Sequence, residues 1–304
     1  MLENAELLLA AYQRFQKYLK WLERQPLSEH TRRAYHCRID GFLGYLGSSG
    51  EDLQVLIEND CERAFVLGNY KRYLKLELKL LPASVNANLT ATDHFLQHCG
   101  ARKTKIARED LPQEAPRALS KDEQQLFLRK VAGCRRTKDR AVALVLFYTG
   151  IRISECVNLD LDDVSVIGRK NLIVIRNGKG ERYREIPLHI EARDAIKTWL
   201  DERIQKFEQG EKFKKKKLDE ALFLNPQGKR LTTASIDLIV RKIGKSCGLA
   251  LSAHRLRHTF LTNLVRAKND LVLVAEIGGH KRLETTRRYT LPTSTDRQRA
   301  IEGL

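Results

Sequence analysis

The 304-residue sequence contains no C-x-x-C pair; its six cysteines, Cys37, Cys61, Cys99, Cys134, Cys156 and Cys247, are scattered. That spacing offers neither a zinc site nor a disulfide framework and reads as free thiols in a reducing cytoplasm. No apolar run is long enough to cross a bilayer. The opening MLENAELLLAAYQRF places acids before its apolar residues and lacks a basic stretch, so a first helix is expected there rather than a signal peptide. The phosphate loop G-x-x-x-x-G-K-[ST] is missing, which removes the usual cradle for ATP. One dense acidic stretch, Asp160, Asp162 and Asp163, lies in a helix-to-strand connection. Metal ligands usually converge from several elements, so no metal site is expected there.

Acid is also in short supply overall: 38 Asp and Glu against 55 Lys and Arg, a net charge of +17. The excess is uneven. Residues 1–100 carry 12 Lys or Arg and 12 Asp or Glu, so all of it lies in 101–304. A polyanion is the natural partner, and the later part of the chain should hold it most directly.

The length allows two domains, each with its own core. Residues 1–100 read as four amphipathic helices joined by short loops, with an acidic loop at Glu51, Asp52, Glu58 and Asp60. Arg32, Arg33 and Arg38 lie off the apolar stripe of the second helix, and Asn86 and Asn88 open the fourth. These side chains suit a DNA groove, although solvated helix faces look the same. Residues 101–117 (ARKTKIAREDLPQEAPR) lose the apolar period and hold Arg102, Lys103, Pro112 and Pro116, as expected of a basic linker. Residues 118–304 then mix helices with a short β-hairpin, Leu172–Ile175 and Arg182–Pro187 around Asn177-Gly178. Lys179 sits at the tip of that hairpin, and Lys214–Lys217 read as a charged loop.

Chemistry-bearing residues cluster where helices start and stop. Arg152 follows Gly150 at a helix start, where backbone amides favour an anion. Ser252 caps a helix whose first turn carries His254 and Arg257 on one side. Asp270 caps another that stops at Gly278-Gly279, just before His280. Tyr289 comes nine residues later. Imidazoles, guanidiniums and a phenol held this way suit an anionic substrate attacked by a hydroxyl. His254 and His258 have zinc-helix spacing, but two arginines between them would repel a cation, and His258 reads as structural.

T-G-x-R-x-S-E at 149–155, H-x-x-R at 254–257, G-H at 279–280 and T-x-x-Y at 286–289 together resemble the tyrosine recombinases, the phage-integrase and Xer-type family. The doubled glycine before His280 departs from the family pattern, which more often has a single glycine there. The resemblance implies a mostly α fold with a small antiparallel β-sheet: an N-terminal four-helix core-binding domain and a C-terminal α+β catalytic domain. It implies a DNA strand transferase that works without metal or ATP through a 3′-phosphotyrosine. Tyr289 would be the nucleophile and Arg152 and Arg257 the phosphate clamp. His254 would take the phenolic proton or order the site, His280 would donate to the phosphate, and Lys179 would protonate the leaving 5′-oxygen. Glu155 would orient a basic member of the site. The implied partners are double-stranded DNA with inverted core sites and further copies of the chain, two per site and four in synapsis, with residues 293–304 packing on a neighbour. A type IB topoisomerase-like transferase and a non-catalytic DNA-binding protein are the alternatives.

Overall fold

The computed structural model describes residues 2–304 apart from 112–114, 116, 167–169, 177–182, 210–218, 281, 293–296, 299–300 and 303–304. Lys179 and Lys214–Lys217 lie outside the described residues. The chain divides into two compact units, Met1–Pro112 and Gln113–Leu304. None of the described helices is long and apolar enough to cross a membrane.

The first unit is built from α1 (Leu2–Glu23), α2 (Glu29–Ser49), α3 (Leu53–Glu58), α4 (Asp60–Leu76) and α5 (Pro82–His98). Four of these are long, as the apolar spacing requires. The short α3 occupies the stretch expected to be only an acidic loop. Polar residues at its two ends act as caps: Asp52 accepts from the Gln54 amide at 2.8 Å, and Asn59 accepts from Cys61 and Glu62 at the start of α4. Leu53 and Leu56 then turn inward and are buried. The core packs Phe15, Tyr18 and Leu22 of α1 against Phe42 and Leu43 of α2, Tyr70 of α4 and Phe95 of α5.

The stretch expected as a linker is tied to this unit over much of its length. Asn86 donates to the Glu109 carbonyl and accepts from the Glu109 amide, both at 2.8 Å. The Glu109 carboxylate lies 2.8 Å from both Lys71 and Lys75, and Arg108 pairs with Asp93 at 2.5 Å. Arg63 is 1% exposed. Its guanidinium closes α3 by donating to the carbonyls of Leu56 and Ile57, reaches Thr104 at 2.9 Å, and pairs with Asp60.

In the second unit, α6 (Lys121–Ala132) opens on a capping box between Ser120 and Glu123. Helix α7 (Thr137–Thr149) is apolar on every side, and Ala141 to Phe147 are buried, so it forms the centre of the larger core. Helix α8 (Ile153–Val157) follows, then strands β1 (Val164–Ser165), β2 (Leu172–Arg176) and β3 (Tyr183–Pro187) in an antiparallel sheet of order β1-β2-β3. Arg176 pairs with Tyr183, which sets the hairpin register. The inward residues Ile173, Ile175 and Ile186 alternate with outward ones.

Helix α9 (Ile190–Arg203) packs beside α7 and relaxes into a wider turn over Ile204–Glu208. Ala221–Leu224 is buried and makes single bridges, Asp160 to Ala221 and Leu224 to Arg230. Helices α10 (Thr233–Ser246), α11 (Ala253–Arg266), α12 (Leu271–Gly278) and α13 (Leu283–Arg287) complete the unit, with a tight 3₁₀ turn at Arg288–Thr290. In the tail, Arg297, Gln298, Ile301 and Glu302 are helical.

Replacing Arg63 with Ala strands buried carbonyls at the end of α3 and frees the 101–109 stretch. The expected loss is about 3 kcal/mol. Denaturant unfolding should show it, together with faster hydrogen exchange at α3.

Candidate active site

The site lies wholly within the second unit and starts from two glycines. Gly150 ends α7 at φ +59°, and a Cβ there would sit 2.3 Å from Cδ1 of Phe260 on α11. The chain therefore turns tightly against α11 and delivers Arg152 to the start of α8. The amide of Arg152 donates to Glu155 Oε2 at 2.7 Å, and its Nη1 donates to Oε1 at 2.8 Å. Gly279 ends α12 at φ +63°, and a Cβ there would lie 2.6 Å from Nη1 of Arg184. The doubled glycine thus has a physical cause: the second one takes a left-handed cap while a guanidinium lies against it.

Three arginines from three elements meet at this helix end. Arg184 Nε donates to the Ile277 carbonyl at 3.0 Å, Arg257 Nη2 to that of Gly278 at 2.6 Å, and Arg152 Nη2 to that of Gly279 at 2.9 Å. These are the carbonyls a helix leaves unpaired at its negative end. Arg257 also donates to the Gly150 carbonyl at 2.6 Å, tying α11 to the end of α7. Burial, with Arg152 adding to it, brings Arg257 down to about 10, still charged at neutral pH. The Arg152 side chain is 42% exposed, leaving N–H groups turned toward solvent for an anion.

His280 accepts from Arg257 Nη2 at its Nε2, 3.0 Å away, and its Nδ1 lies 2.8 Å from Thr286 Oγ1. Arginine only donates, so the imidazole is neutral with its proton on Nδ1. Burial and the neighbouring arginines, Arg257 first, lower its pKa to about 4. In this arrangement Nε2 is an acceptor; donating from it to a phosphate requires the proton to move there.

The Tyr289 ring belongs to a small cluster with Leu261 and Val274, separate from the main core, and is 6% exposed. It stacks on His280 with centroids 6.0 Å apart and planes 9° from parallel. Its hydroxyl meets His258 Nδ1 at 2.9 Å. Burial raises the phenol against the pull of Arg257, Arg288 and Arg152, while burial and nearby cations lower His258 to about 3. Both groups are neutral, so the phenol donates and the imidazole accepts.

His258, read as structural from its sequence context, is the imidazole that meets the Tyr289 hydroxyl. His254 is exposed, one turn earlier on the same face, with its ring 4.0 Å from that of His258. That i,i+4 spacing was visible in the sequence; which of the two rings would reach the phenol was not. Arg184 was missed altogether.

Among the other candidates, Arg152, Glu155, Arg257, His280 and Tyr289 come together, with His254 at the edge. Asp160 and Asp163 face arginines, Arg230 at 2.5 Å and Arg176 at 2.7 Å. In the first unit, Asn86 holds Glu109, Asn88 donates to the Ser84 carbonyl, and Arg32 donates to the Gln25 carbonyl. Arg33 forms an exposed pair with Glu29, Arg38 is half-buried on α2, and Arg102 and Lys103 are exposed.

Two outcomes follow. Burial alone would raise the Glu155 carboxyl, but bonds from Arg184 and the Arg152 amide outweigh it and hold the pKa below the ordinary value. Its stabilisation is therefore present at neutral pH and lost as acid protonates it. Glu155→Gln should be less stable than wild type at neutral pH, with the gap closing below about pH 4; acid titration of unfolding checks this. His280 should remain neutral with its proton on Nδ1 down to about pH 5, which nitrogen-15 NMR of the imidazole reads directly.

Residues 117–295 match the Phage integrase family. A tyrosine recombinase XerC of Myxococcus xanthus is 31% identical over 298 residues, 95% of this chain and 87% of that protein. A tyrosine recombinase XerA of Thermococcus kodakarensis is 30% identical over 197 residues, 63% of this chain but only 64% of that relative's length. The fold is shared with a crystal structure of XerH site-specific recombinase bound to a palindromic difH substrate, with a TM-score of 0.69 and 24% identity over 90% of this chain and 78% of that one. The family match and the near-full-length relative agree with the site built from α8, α11, α12 and Tyr289: the chain belongs to the phage integrase family of tyrosine recombinases.

Proposed function

We propose that the protein is a site-specific DNA recombinase that cuts and rejoins strands through a 3′-phosphotyrosine. One observation supports this most: two guanidiniums, Arg152 and Arg257, meet at one helix end beside His280, whose ring stacks on Tyr289. Negative charge at a phosphodiester under attack stays on the non-bridging oxygens, and fixed cations stabilise that charge as the reaction proceeds. Arg152 and Arg257 bind those oxygens. The phenolic oxygen of Tyr289 attacks phosphorus and the bond to the 5′-oxygen breaks. The Tyr289 proton passes to His258, the imidazole in contact with it, while His254 at the exposed edge orders the site. Lys179 supplies a proton to the 5′-oxygen. The bond energy stays in the tyrosyl ester, so a 5′-hydroxyl from another strand reverses the step.

The partner is double-stranded DNA bearing inverted core sites. Copies of the chain act two per site and four in synapsis, with the tail on a neighbour. The first unit, with exposed Arg33, Arg102 and Lys103, contributes phosphate contacts.

A nicked suicide duplex carrying the cognate site should trap a denaturation-resistant protein–DNA adduct. Tyr289→Phe should abolish it, and Arg152→Lys or Arg257→Lys should slow it by roughly 10³-fold or more. Binding without any adduct would leave a DNA-binding protein. Adduct formation without exchange between two labelled sites would point to a topoisomerase-like transferase. Binding should also weaken steeply with added salt.

A further inference from the structure

We infer that Arg184 is the positioning residue of this site: it holds the phosphate clamp in shape without touching the phosphate. The inference rests on the recombinase reading above. Arg184 stands on β3, paired across the sheet with Ile175, and its side chain is only 10% exposed. Its guanidinium forks onto Glu155, Nη2 to Oε2 at 2.8 Å and Nη1 to Oε1 at 3.2 Å, while Nε donates to the Ile277 carbonyl. Its three nitrogens are thus all committed within the protein, and its fork is already filled by the Glu155 carboxylate, which leaves no face for a second anion.

What those bonds fix is the clamp. Glu155 Oε1 is shared by Arg184 and Arg152, so the carboxylate stands between two cations and sets where Arg152 points. On the other side, Arg184 lies against the face of Gly279 that a Cβ would fill, and the Gly279 carbonyl holds Arg152. The same turn carries Gly278, which holds Arg257, and leads into His280. One side chain therefore links β3, the start of α8 and the end of α12. A lysine has the charge but not the planar fork, so it cannot make the two parallel bonds to Glu155 and the third to Ile277 together. Loss of that geometry misplaces Arg152 without removing it, and misplacement of a catalytic group by about 1 Å costs on the order of 10²-fold in rate.

The test compares wild type, Arg184→Lys and Arg184→Gln as full-length protein on the nicked duplex. DNA affinity, thermal unfolding and the single-turnover rate of Tyr289 adduct formation are measured. The rate is also measured with each phosphorothioate diastereomer at the scissile phosphate, because their ratio reports which non-bridging oxygen meets the clamp. The expected result is DNA affinity close to wild type, protein that is less stable yet still folded at the assay temperature, a rate about 10²-fold lower in Arg184→Lys, and an altered diastereomer ratio. An Arg184→Lys rate equal to wild type would overturn the inference. So would a loss that only tracks the folded or DNA-bound fraction with an unchanged ratio, which would make Arg184 purely structural. Wild-type protein that binds the site but forms no adduct overturns the recombinase reading, and this inference with it.

Discussion

The negative end of α12 is the constraint on which the site depends. A helix must leave its last carbonyls without intrahelical partners, and here three in succession, from Ile277, Gly278 and Gly279, each accept from a different arginine. The helix thereby gathers positive charge that would otherwise repel itself. Glu155, held between Arg152 and Arg184, offsets the remainder. The outcome is a cluster of guanidiniums that is stable without an anion yet keeps N–H groups of Arg152 turned toward solvent. Preorganisation of this kind lets charge stabilisation act on a transition state without rearrangement.

Tyr289 is held by weaker means. Tyr289 sits on a 3₁₀ turn, in a small cluster whose other buried members among the described residues are Leu261 and Val274, with Phe260, Leu264 and Val265 packed against it. A neutral imidazole, His258, takes its hydroxyl bond. One neutral hydrogen bond on the phenol costs little to exchange, whereas the arginine cluster is fixed by multiple charged bonds. A rigid arginine cluster beside a lightly held phenol suits the attack and later release proposed for Tyr289.

Much of this was legible from residues alone. Ser252 and Asp270 marked helix starts, and the alternating runs on either side of Asn177-Gly178 marked a hairpin. Local chemistry was enough there, because a cap or a periodicity involves neighbours within a turn or two. The extra helix at Leu53–Glu58 was hidden because Asp52 and Asn59 look equally natural in a loop. The hold on residues 101–109 was hidden because Asn86 and Glu109 pair across 23 positions with no repeating pattern to announce it.

The sequence by itself determined that an Arg, a His, a second Arg, a second His and a Tyr stand near helix ends in that order, and that basic charge gathers after residue 100. Only the tertiary structure decided which imidazole meets the phenol, which tautomer His280 carries, and that Arg184, an ordinary-looking strand residue, completes the cluster. The reason is geometric. Spacing along a helix fixes a shared face, but contacts between α8, β3, α11 and α12 depend on how their ends converge, and a strand residue's alternation says which side it faces without saying what waits there.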